Sequence, residues 1–119
     1  MDTDKNLYAT DYIMNRVYQI STVDYQIKNM FQGQTGSKYG IDIHPKTGMI
    51  YVTDSILCQI LVFNSSLQLL KTFGSPGSGH GQFFTPSDIG FNKKGEFFIT
   101  DSGNFRVQKF SSEDQFLGD

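Results

Sequence analysis

Short runs of alternating side chains dominate the chain. Leu7, Ala9 and Asp11 interleave with Tyr8, Thr10 and Tyr12, and the pairs Val17, Gln19 and Val107, Lys109 keep the same period of two. Successive side chains on a strand point to opposite faces, so this spacing predicts strands. The runs are rich in Val, Ile, Tyr, Phe and Thr and are bounded by Gly, Asn, Asp and Ser, the residue types of strands and of the turns that join them. No stretch sustains helical spacing behind an N-cap. The chain is therefore expected to be all-β.

One pattern occurs three times: LYATDYIMNRVYQI at 7–20, IYVTDSILCQILVF at 50–63 and FFITDSGNFRVQKF at 97–110. The Thr-Asp pair falls at 10–11, 53–54 and 100–101, so the aspartates recur 43 and 47 residues apart. Periods of this size suit four-stranded propeller blades and overlap helical arrays, and the strand alternation decides for blades. Four antiparallel strands are predicted per repeat. The first is 40–43, matched by 88–91. The second is 49–53, matched by 7–10 and 97–100. The third is 59–63, matched by 16–20 and 106–110, and the fourth is 68–73, matched by 26–31 and 115–117. The pattern divides the chain into an incomplete blade 1 at 5–33, blade 2 at 34–74 and blade 3 at 75–119.

These residues resemble the NHL repeat, most closely in the third copy. A Gly-rich linker (Gly77, Gly79, Gly81) leads to Phe83 and Pro86. Then come the turn glycine Gly95, Thr100-Asp101, Ser102-Gly103-Asn104, and Arg106-Val107. The first copy keeps Thr10, Asp11, Arg16 and Val17. The second keeps Thr53, Asp54 and Ser55 but has Gln59 in place of the Arg. The resemblance implies an incomplete NHL-type β-propeller, because complete relatives have six blades. It also implies a non-catalytic binding or scaffolding role, with a protein partner held by propeller loops. NHL propellers serve as substrate-recruiting ends of ubiquitin ligases. Some bind RNA, and related propellers include amidating lyases and metal-dependent lactonases.

Composition narrows those possibilities. Ten Lys and Arg stand against twelve Asp and Glu, a net charge of −2, which disfavours RNA because neutralising several phosphates needs clustered cations. Six Tyr and eleven Phe supply apolar surface enough for a packed core, which argues against disorder. One Cys and two His exclude an internal disulfide and leave no metal-ligand spacing. His44 and His80 lie in different turns, and Cys58 enters a strand with no base beside it and reads as a half-buried packing residue. No cofactor is expected. The opening Met1-Asp2-Thr3-Asp4-Lys5 lacks the form of a signal peptide and no apolar run of membrane length follows, so a cytoplasmic chain without membrane contact is expected.

Candidate chemistry reduces mostly to turn chemistry. Asp101 and Arg106 read as a pair closing the turn between the second and third strands, with Asn104 part of the same signature. Asp11 and Arg16 are expected to repeat that geometry. Asp54 faces no Arg, so backbone amides alone are expected to satisfy it. The glycines of 74–81 are not followed by Lys-Ser/Thr and a helix, so they read as an inter-blade linker and not as a phosphate loop. Phe105, at an exposed turn, is the candidate partner contact. The open faces of the outer blades are expected to favour self-association.

Overall fold

A computed structural model describes residues 6–119. Met1 to Lys5, among them the first position expected for blade 1, lie outside the described residues. Among the described residues eleven strands form three antiparallel blades. Blade 1 holds β1 (Asn6–Asp11), β2 (Arg16–Ser21) and β3 (Ile27–Gln32), in that spatial order. Blade 2 holds β4 (Lys38–Ile43), β5 (Ile50–Asp54), β6 (Gln59–Phe63) and β7 (Leu69–Phe73). A pair of two-residue strands, β8 (Ser75–Pro76) and β9 (Gln82–Phe83), comes next. Blade 3 then holds β10 (Pro86–Phe91), β11 (Phe97–Asp101), β12 (Arg106–Phe110) and β13 (Phe116–Gly118).

The first strand of each full blade begins earlier than the alternation suggests. A bulge between Lys38 and Ile41 carries β4 back to pair Lys38 with Asp54, and a bulge between Pro86 and Asp88 pairs Pro86 with Asp101. A bulge breaks strict alternation, so residues beyond it do not show the period of two. The linker also carries more order than a Gly-rich stretch suggests. β8 and β9 pair in parallel, and the Gly77 amide donates to the Phe83 carbonyl at 3.0 Å.

Strand β5 divides its side chains between the two blade interfaces. Ile50 and Val52 join Val17, Leu61, Phe63 and Leu67 in the core between blades 1 and 2, with Tyr8, Phe31, Ile41 and Ile43 packed around it. Tyr51, on the opposite face, joins Ile60, Val62, Phe97, Ile99 and Phe110 in the core between blades 2 and 3. Aromatic rings dominate the second core: Phe97 stacks on Phe110 at 5.1 Å, and Tyr51 meets Phe91 edge-on at 4.9 Å. Each such side chain, fully buried, contributes about 1.5–3 kcal/mol. The Tyr51 hydroxyl donates to Asp114 Oδ1 at 2.7 Å, and Asp114 in turn binds Lys71. Burial, then the bond to Asp114 and its charge, pushes the Tyr51 phenol far above its ordinary value, so it stays a donor across the blade interface.

The outward sides of the two outer blades are apolar. Leu7, Ile27 and Met30 are exposed on blade 1, and Phe98, Val107 and Leu117 on blade 3. The blade 3 side holds a shallow recess of about 350 Å³ lined by Phe98, Val107, Lys109, Gly118 and Asp119. No helix among the described residues is long and apolar enough to cross a membrane.

Candidate functional site: the turn face of the blades

The turns between second and third strands all leave the same end of the blades, because Asp11 pairs with Arg16, Asp54 with Gln59 and Asp101 with Arg106 at the strand ends. In the turns of blades 1 and 2 the aspartate folds back over its own loop. Asp11 Oδ1 accepts from the Ile13 and Met14 amides at 3.1 and 3.0 Å. Asp54 Oδ1 accepts from Ile56 at 3.1 Å and Leu57 at 2.8 Å. The fourth residue after each aspartate is left-handed: Asn15, Cys58 and Phe105 have φ of 57°, 55° and 54°. Asn tolerates that conformation, whereas an aromatic there carries strain.

Blade 3 builds the densest network. Asp101, fully buried, accepts from the Phe84 amide on Oδ1 at 2.7 Å. Its Oδ2 accepts from Asn104 Nδ2 at 2.9 Å, Arg106 Nε at 2.9 Å and Gln108 Nε2 at 3.1 Å. Arg106 also donates to the Gly79 and Gln82 carbonyls at 2.7 and 3.0 Å, and Asn104 to the Gly77 carbonyl at 2.9 Å. The signature residues Asp101, Asn104 and Arg106 thereby clamp the linker to the blade. Gly103 sits flat on Phe84: its amide donates to the Phe84 carbonyl at 2.7 Å, and a Cβ there would stand 1.9 Å from the Phe84 ring.

Burial works against the charged form of Asp101, but bonds from Asn104, the Phe84 amide, Arg106 and Gln108 outweigh it and hold the carboxyl below its ordinary value. A depressed folded value stabilises the fold above the unfolded value of about 3.9 and is lost as pH falls through the folded one. Thermal melting from neutral pH downward is expected to show the wild type losing stability below about pH 4, with a shallower acid limb in Asp101→Asn. Parallel limbs would remove Asp101 as a source of acid sensitivity.

Two expectations fail. Among the described residues Asp11 and Arg16 form no ion pair: Arg16 turns to Gln32 Oε1 at 2.6 Å and the Tyr18 hydroxyl at 3.4 Å. Gln32, on the neighbouring strand, offers a closer acceptor, and the Asp11 carboxylate is engaged by its own turn. Asp54 is not held by amides alone. Lys38 Nζ binds Asp54 Oδ2 at 2.6 Å with both side chains buried, and reaches across to Asn15 Oδ1 of blade 1 at 2.7 Å. Lys38 occupies the place in blade 2 that Pro86 holds in blade 3, since each pairs with its blade's turn aspartate. The cation has moved from the third strand to the first. Gly36 is required beside it, because a Cβ there would stand 2.1 Å from Asp54 Oδ2 at a φ of 95°. Cys58 is buried outright, its thiol toward the Ser55 and Ile56 carbonyls.

The tips of these turns point outward and are apolar. Phe105 is 95% exposed, Ile13 77% and Ile56 67%, with Met14, Leu57 and Phe84 exposed beside them. Tyr12 and Tyr39 stack at 5.2 Å where blades 1 and 2 meet. His44 lies at the opposite end, buried, with Nε2 3.1 Å from the Ser112 carbonyl of blade 3. Among the described residues no group of three or more His, Cys, Asp or Glu converges.

Residues 85–110, which hold Pro86, the Asp101 turn and Arg106, match the NHL repeat family. Blade 3 carries an NHL repeat. Solved structures resemble the whole arc. A virginiamycin B lyase from Staphylococcus aureus, solved in a catalytically inactive form with quinupristin, superposes with a TM-score of 0.77 at 18% identity over 97% of this chain. A streptogramin B lyase gives 0.76 at 16% over 98%, and the dihydro-heme d1 dehydrogenase NirN gives 0.71 at 7% over 99%. The NHL-type blades here span 37% of each lyase and 24% of NirN, so the chain has the fold of an incomplete β-propeller.

Proposed function

We propose that these NHL-type blades form a non-catalytic binding module that holds a protein partner on the face carrying the turns between second and third strands. The observation that carries this reading is Phe105, a fully presented aromatic in a left-handed conformation that an aromatic adopts only at a cost. Loops positioned by a rigid scaffold are where binding residues concentrate, and aromatic anchors dominate binding energies. Substrate recruitment for a ubiquitin ligase is one setting such a module suits.

The test compares proteins retained by wild type, by Phe105→Asp and by Lys93→Glu on the opposite end. Asp tolerates the left-handed region, so the first variant preserves the turn. A set held by wild type and Lys93→Glu but lost by Phe105→Asp is expected. Identical sets for all three would sink the reading.

The likeness to lyases favours a second reading, in which the three blades are an arc of a propeller enzyme. Calorimetric titration with a divalent cation separates the two, since tight binding supports the enzyme. RNA is tested by anisotropy with a single-stranded probe, and absence of binding at low salt eliminates it.

A further inference from the structure

Matched rows of cross-strand neighbours define the two sides of every blade. Leu7 pairs with Ile20 in blade 1 as Ile50 pairs with Phe63 in blade 2 and Phe97 with Phe110 in blade 3. The latter two rows are buried against the preceding blade. On the other side, the row of Tyr8, Gln19 and Asn29 corresponds to Tyr51, Val62 and Lys71, and to Phe98, Lys109 and Gly118. The first two of these rows cross to the next blade. The Tyr8 hydroxyl donates to the Ser65 carbonyl at 2.7 Å, and Tyr51 and Lys71 both bind Asp114. Ser65 and Asp114 each lie in the turn between the third and fourth strands of that next blade. The Leu7 row on blade 1 and the Phe98 row on blade 3 face outward.

We infer that blade 3 of one copy binds blade 1 of a second copy, head to tail. Leu7 and Ile20 of the second copy then fill against Phe98 and Val107 the place that Phe97 and Phe110 fill against Tyr51 and Ile60 in the core between blades 2 and 3. Charge fits this occupant. Tyr25, Leu67 and Asp114, left-handed at φ of 58°, 61° and 67°, mark the same place in the three turns between third and fourth strands. Asp114 receives the Lys71 cation of the preceding blade there. In the outward row Phe98 has no hydroxyl and Gly118 no side chain, which leaves Lys109, with Nζ 5.7 Å from the centre of the Phe98 ring and 3.6 Å from Glu96 Oε1. Blade 1 of the second copy brings the exposed Asp24, beside Tyr25, toward that lysine. Gln19 holds the place of Lys109 in blade 1 and is buried, so the position accepts a polar side chain within a blade interface. A contact between two different patches is heterologous and leaves one working face at each end of the pair. It is independent of recognition at the turn face.

Sedimentation velocity of the chain from about 1 to about 100 μM is expected to show dimers and larger species that increase with concentration. Leu7→Glu disables the blade 1 side and Val107→Glu the blade 3 side. Both positions are exposed, so each variant is expected to keep the wild-type circular dichroism spectrum. Each variant alone should sediment as a monomer. An equimolar mixture of the two should form a dimer and nothing larger, because each partner retains one working face. Lys109→Glu and Asp24→Lys should each weaken association about tenfold or more, and the chain carrying both should regain it. These two exposed charge reversals carry the test if a glutamate variant fails to fold. A wild type that stays monomeric at every concentration overturns the inference, as does a mixture that stays monomeric. If one face substitution abolishes association and the other leaves it unchanged, a face pairs with itself and the head-to-tail contact is wrong. Charge reversals that do not rescue one another overturn the orientation that sets Asp24 against Lys109.

Discussion

Replacing Lys38 by methionine lowers the unfolding free energy by about 3–5 kcal/mol, the cost of deleting one member of a buried ion pair and stranding the other. Both partners are almost wholly shielded from water, at 2% and 0% side-chain exposure. Methionine fills most of the lysine volume, so the loss reports charge and hydrogen bonding and not a cavity. Three bonds disappear together, to Asp54, to Asn15 and to the Thr35 carbonyl. Urea denaturation followed by circular dichroism measures the change directly. A second variant keeps the interpretation firm. Adding Gln59→Arg restores a cation from the position that Arg106 holds in blade 3, because Gln59 pairs with Asp54 as Arg106 pairs with Asp101. The double variant is expected to recover at least about half of the lost stability. A loss under about 1 kcal/mol would show that Asp54 is satisfied without a cation, and a full loss with no recovery would show that position 59 cannot replace Lys38.

Asp101→Ala is expected to cost about as much, roughly 3–5 kcal/mol, by a different route. One carboxylate there serves four donors, and Gln108 among them is completely buried. Removing the acceptor strands the donors at once and frees the linker that Asn104 and Arg106 hold. Arg106→Ala should cost less, about 1–2 kcal/mol, because Asn104, Gln108 and the Phe84 amide still satisfy the carboxylate. The arginine is also 17% exposed, and water screens its share. Asp101→Asn should fall between the two, keeping an acceptor while losing the charge. An Arg106→Ala variant less stable than Asp101→Ala would invert this hierarchy and make the guanidinium the hub.

The strands were legible because buried-face alternation writes itself into β-strands. Ile50, Tyr51 and Val52 serve opposite cores in turn, and the sequence shows it. The early starts of β4 and β10 were not legible, since each lies beyond a bulge. Lys38 is hidden for the same reason: beyond the break in period, it has the pattern of a surface lysine at a strand's mouth. Its partner was legible, and the absence of Arg opposite Asp54 was the available signal, pointing to a missing cation that pairing across the other edge of β5 supplies. Arg16 departs from the expected pair because a repeated spacing is not a repeated contact: Gln32 on the neighbouring strand competes for the guanidinium. Among the exposed apolar tips the sequence points to Phe105 alone, because Ile13 and Ile56 come to the same end of the blades only in the fold.

The displaced lysine also governs how these repeats can be exchanged. In an array of self-sufficient units, one blade could be copied over another. Here, grafting the blade 3 sequence onto blade 2 would place proline where Lys38 stands. Arg would then serve the carboxylate, but the Asn15 side chain of blade 1 would lose its bond to the ammonium group. Grafting blade 2 onto blade 3 would put lysine at Pro86 and glutamine at Arg106, and the ammonium group would meet Cys58 of blade 2 where Lys38 now meets Asn15 of blade 1. The two blades answer their turn carboxylates with cations from different strands, so exchanging one for the other calls for a matching change in its neighbour.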